Sequence, residues 1–152
     1  MIKYSLTIFI TLLYAVSTQF VFAEKVTNNT IPSLSFKNVI VPEAPPVASV
    51  MVAYLDITNT SNKKQTIVNI ESPQFQTVEI HSMSMKNGIM NMQQLERLSI
   101  KPKQTVLLES GGFHIMLIRP IKKLKKGDHV VLTFKLDSGE TSTIKTKVTF
   151  TE

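Results

Sequence analysis

The chain has 152 residues, with 17 basic and 11 acidic side chains, three histidines, seven methionines and no cysteine. That length suits one modest domain, and without cysteine a disulfide framework is excluded, so stability has to come from a packed core. Aromatic residues make up only 7% of the chain and are not interleaved with the bases, which excludes the stacking platform of a nucleic-acid-binding surface.

Residues 1–23, MIKYSLTIFITLLYAVSTQFVFA, carry one lysine near the start, then a charge-free apolar run, then Val21-Phe22-Ala23. This is the pattern of a secretory signal peptide cleaved after Ala23, which puts the mature chain in an exported compartment. The apolar run approaches the length of a membrane span, but Ser17, Thr18 and Gln19 weaken it as an anchor. No stable membrane insertion is expected after cleavage. Residues 24–33 are polar and turn-rich and read as a flexible N-terminus, leaving 34–152 as the folded domain.

From there β-type segments recur between turn residues. The expected strands are 34–41, 50–58, 65–71, 76–81, 94–100, 105–108, 112–118, 129–136 and 141–149, separated by punctuation such as Lys86-Asn87-Gly88, Gly111-Gly112 and Asp137-Ser138-Gly139. Short strands with turns every 8 to 12 residues or so argue for an all-β antiparallel sandwich or small barrel. No amphipathic helix, internal repeat or low-complexity tract stands out. Gly111-Gly112 reads as a tight turn, since no Lys-Ser/Thr follows it as a phosphate loop requires. The basic run from Arg119 to Lys126 reads as a solvated connection that could steer an acidic partner.

Alternation carries the functional argument. In the segment from Phe113 to Ile118, a period of two sets Phe113, Ile115 and Leu117 on one face and His114 with Met116 on the other. Likewise Val78 and Ile80 oppose Glu79 and His81. In both strands the apolar set can face the core while the histidine points away from it.

Between residues 81 and 116 lie His81, Met83, Met85, Met90, Met92, His114 and Met116, which leaves only Met51 elsewhere in the mature chain. A thioether is a soft neutral donor suited to Cu(I), and imidazole also suits copper. Mixed histidine and methionine therefore point to Cu(I) or its mimic Ag(I). A blue-copper centre needs a thiolate and a structural zinc site usually does too, so the lack of cysteine excludes both. No nucleophile and base, and no carboxylate pair, stand in a catalytic context; the chain is not expected to be an enzyme.

From His81 the order is a histidine, ten residues, Met92, 21 residues, His114, one residue and Met116. This spacing resembles the H-x10-M-x21-H-x-M signature of the periplasmic CuA-site copper chaperones, the PCuAC family. The resemblance extends through PVASVMVAYLDITNTSN, VEIHSMSMKNGIMNM and GGFHIMLIRPIKKLKKGDHVVLTFKLDSG, in order, over about residues 45–148. It implies a cupredoxin-like β-barrel in which His81, Met92, His114 and Met116 hold one Cu(I) near one end. It also implies a periplasmic, monomeric metallochaperone that delivers copper to an acceptor, either cytochrome c oxidase subunit II at its CuA centre or another copper chaperone. Some members carry a C-terminal His- and Met-rich tail; here the chain stops at Phe150-Thr151-Glu152, so no second site is expected there. Met83, Met85 and Met90 have no place in the motif and are expected as packing or rim, the other reading being a soft secondary shell that helps copper in and out; His129 is expected as a surface residue. Two other readings stay open: periplasmic copper or silver sequestration for tolerance through the same residues, and a metal-free β-sandwich adhesion or assembly module.

Overall fold

Alternation of apolar and polar side chains lets one face of a strand enter a core while the other meets water. In a computed structural model, which describes residues 32–150, this rule shapes most of the chain. The strands are β1 (Leu34–Pro42), β2 (Val50–Asn59), β3 (Gln65–Glu71), β4 (Phe75–Lys86), β5 (Ile89–Leu95), β6 (Leu98–Ile100), β7 (Thr105–Leu108), β8 (Phe113–Pro120), β9 (His129–Leu136) and β10 (Thr141–Thr149). Among the described residues there is no helix long and apolar enough to cross a membrane. The expected signal peptide, 1–23, and nearly all of the expected N-terminal segment 24–33 lie outside the described residues.

Hydrogen bonding orders the strands β5-β4-β8-β7-β2-β1-β10-β9-β3-β6, with β8 also paired to β2. All but two pairings are antiparallel. β2 holds β8 along Val50–Ala53 and β7 along Leu55–Thr58. The strand order folds back on itself through β1. Its first half pairs with β2; a bulge at Lys37 to Ile40 then bends it, and Val41 and Pro42 pair in parallel with Val148 and Thr149 of β10. Asn38, inside that bulge, has a positive φ of 51° and donates through Nδ2 to Asp56 Oδ2 at 2.6 Å.

The two halves of the order enclose one core. Leu55 and Ile57 of β2 and Ile115 and Leu117 of β8 share it with Ile67 of β3, Ile100 of β6, and Leu132 and Phe134 of β9. Phe36 of β1 stacks on Phe134 with ring centroids 4.5 Å apart. The fold is thus an all-β sandwich of the cupredoxin-like type. A buried Asn59 ties the edge: its Nδ2 donates to the carbonyls of Lys63 at 2.7 Å and Ile100 at 3.0 Å, so its polar group is satisfied inside.

The structure adds one strand to the nine expected. Segments 65–71, 105–108, 129–136 and 141–149 coincide with β3, β7, β9 and β10, but 76–81 extends to Lys86, and 94–100 divides between β5 and β6. The cause is a hairpin closed by Asn87 and Gly88, whose φ values of 53° and 76° are those of a two-residue turn matched to strand twist. Its arms bury almost nothing, so no apolar alternation announces them.

Candidate metal centre

β4 lies between β8 and β5, and its register with both decides which side chains meet. His81 is opposite His114 and Glu79 is opposite Met116 across β4–β8. Across β4–β5, Met83 is opposite Met92 and His81 is opposite Gln94. Directly paired residues share a face and alternate residues along a strand return to it. Glu79, His81, Met83, Met92, His114 and Met116 therefore stand on one face, away from the core face of Ile80, Ile115 and Leu117. The two imidazoles are at the centre of this patch, with Met92 and Met116 on diagonals either side of His81, within reach of long side chains.

The imidazoles are held in defined orientations. Their ring centroids are 6.0 Å apart and the planes are inclined by 36°. His114 Nδ1 lies 3.2 Å from the Gly112 carbonyl oxygen. A carbonyl only accepts, so Nδ1 carries the proton and Nε2 keeps its lone pair. In His81, Nε2 lies 2.8 Å from Glu79 Oε2; the carboxylate accepts from Nε2–H, which leaves the lone pair on Nδ1. That Nδ1 is buried and has no hydrogen-bond partner. Buried polar atoms are rarely left orphaned, and a ring nitrogen freed by a carboxylate on its other side is the arrangement found at metal-ligating histidines.

Burial is graded across the patch. His114 is 4% exposed, the His81 side chain 15%, and Met92 44%, while Met116 is half-buried. His114 does turn away from Ile115 and Leu117 as alternation requires, yet it is nearly sealed from water, with the His81 ring opposite it and the Gly112 carbonyl at its Nδ1. Neither methionine enters the core. Met83 is half-buried, Met85 and Met90 are exposed, and His129 is exposed on β9, opposite Lys147 and outside the patch.

A metal–imidazole bond of about 2 Å puts a ring centroid about 3 Å from the ion, so two rings sharing one ion are at most about 6.5 Å apart. The observed separation meets that limit. Among the described residues no group of three His, Cys, Asp or Glu side chains could hold a metal; further donors beside the two imidazoles are thioethers, and that donor set is soft. Glu79 has a part that alternation alone did not assign. Its position two residues before His81, on the same strand face, is the trace that reveals it.

A family model described as "Putative lipoprotein LpqE-like" matches residues 34–148. The uncharacterized protein RP573 of Rickettsia prowazekii (strain Madrid E) is 31% identical over 96 residues, 62% of this chain. The chain spans about half that relative's length, 53%. Among solved structures, the solution structure of CuI-DR1885 from Deinococcus radiodurans superposes with a TM-score of 0.64 at 25% identity, covering 83% of this chain and 84% of that one. The copper-bound PCuAC domain from PmoF2 gives a TM-score of 0.66 at 15% identity, covering 80% and 96%.

Proposed function

The chain belongs to the LpqE-like family, and from that footing we propose that it is an extracytoplasmic Cu(I) carrier whose ion is held by His81, Met92, His114 and Met116 and passed to an acceptor protein. The observation that carries this reading is the imidazole pair: a buried His81 Nδ1 without a partner, 6.0 Å between ring centroids, and a His114 ring whose Nδ1 is committed to Gly112. The copper named for two structural neighbours, CuI-DR1885 and the PmoF2 domain, agrees with a soft donor set.

The chemistry follows from the ligands. Two neutral imidazoles and two neutral thioethers leave the charge of Cu(I) uncompensated, so anionic thiolates or further imidazoles of an acceptor can displace them one at a time. The exposed Met92 is the first to yield and the sealed His114 the last. Glu79 fixes the tautomer and orientation of His81, so that Nδ1 keeps its lone pair for the ion. No redox turnover or bond-making step is needed. We take the acceptor to be the CuA-bearing subunit II of cytochrome c oxidase or another copper chaperone, and the site of action to be the periplasm.

Titration of the apo-protein with Cu(I) against a competing chelator tests the reading. The native chain should retain one equivalent, and the Met92→Ala, Met116→Ala double variant should surrender it. Undiminished stoichiometric binding by the double variant would overturn the proposal.

A further inference from the structure

Beyond the histidines, the β4–β5 hairpin projects a methionine-bearing surface of which the four-residue centre uses only Met92. Every residue from 84 to 94 is exposed, and three of these are methionines: Met85 at 66%, Met90 at 57% and Met92 at 44%. Methionine serves ordinarily as core filler; here there is no core to fill.

The register gives these side chains a geometry. Met85 is opposite Met90, and Met83 is opposite Met92. The Met83 amide donates to the Gly112 carbonyl at 3.0 Å, toward β8. In an antiparallel strand a residue's N–H and C=O point to the same side, so Met83 and Met92 form a non-hydrogen-bonded pair. Met85 and Met90, two residues further along, form another. Such pairs have the closest approach in an antiparallel ladder, with Cα atoms about 4.5 Å apart. Metal–sulfur bonds of about 2.3 Å let one ion join two sulfurs up to about 4.6 Å apart. Two unbranched thioethers leaving the same face at that spacing can close on one soft ion without moving the backbone.

We propose that Met85 and Met90 form a second, solvent-facing site for a soft monovalent ion, Cu(I) or Ag(I), and that the Met83–Met92 pair joins it to the imidazoles as the next rung of the same ladder. The site rests on the hairpin's own register and not on the four-residue centre. With only two neutral donors it binds more weakly than a centre that includes imidazole, as a point of capture or release requires.

The test is a titration of the full chain, labelled with ¹³C at its methionine methyls, with Ag(I) in chloride-free buffer. The Met85 and Met90 methyl resonances should move together and saturate with a second equivalent. In the Met85→Leu variant the Met90 response should disappear. The Met85→Leu, Met90→Leu variant should bind one equivalent instead of two, with Met116 still responding; both positions are exposed, and the remaining methyl spectrum reports that the fold is intact. Resonances of Met85 and Met90 that stay fixed through two equivalents, or a Met90 shift indifferent to the loss of Met85, would overturn the site. A response of Met85 and Met90 while Met116 stays still would uphold this site and sink the four-residue carrier centre instead.

Discussion

β9 buries Val130, Leu132, Phe134 and Leu136, four of its eight residues, whereas β5 buries none of its seven. Both are regular strands. β9 is held by what its side chains exclude from water; β5 is held by backbone pairing to β4 and by the Asn87-Gly88 turn, with Leu95 at its end packed against the core, which leaves the exposed side chains from Ile89 to Gln94 free for other chemistry. The contrast separates two kinds of sensitivity, since substitutions in β9 should act on stability and substitutions around β4–β5 on binding.

The largest effect should come from Phe134→Ala. Removing a fully buried ring that also stacks on Phe36 should cost about 3–5 kcal/mol in urea denaturation; a cost below about 1 kcal/mol would mean that β9 does not anchor the core. Next, Glu79→Gln keeps the shape and removes the charge behind His81. Loss of such an outer partner is expected to weaken Cu(I) affinity about 10–100-fold in a competition titration, with the urea midpoint nearly unchanged. An unaltered affinity would detach Glu79 from the centre.

Smaller still is Gly88→Ala. The space around Gly88 is open, but its φ of +76° disfavours a Cβ by about 1–2 kcal/mol. That cost should appear as faster amide exchange across β5 while core amides of β9 stay protected. Equal acceleration in both would show that the hairpin and core unfold together, erasing the distinction. The smallest effect is the stability change of Met92→Leu, expected within about 0.5 kcal/mol at this exposed position, even as Cu(I) affinity falls. A stability loss above 1 kcal/mol would assign Met92 to packing.

The same contrast explains what could be read in advance. β3, β7, β9 and β10 were legible because core-facing residues alternate or cluster between turn residues; β9, with His129 to Leu136, is the clearest. β5 was not, because IMNMQQL lacks the β-branched and aromatic enrichment of a packed strand and has no dry side to mark it. Its presence is encoded in Asn87-Gly88, a turn that implies two paired arms even where those arms bury almost nothing. The shared face of His81 and His114 follows from alternation, but their direct opposition does not, since it depends on how β4 and β8 align across the 32 residues between the two histidines. The near-complete burial of His114 was equally hidden, because a period of two tells which side a residue faces and not what lies over that side.

The Gly112 carbonyl oxygen receives both the Met83 amide and the His114 ring. With both lone pairs engaged, it has no capacity left for water or a third donor. A displacement of the Glu109–Gly112 turn along β4 must break one bond or the other. The hairpin and the sealed imidazole are therefore indexed to a single backbone atom: the position of the turn sets the pitch of the hairpin and the aim of the ring at once, and neither can be adjusted alone.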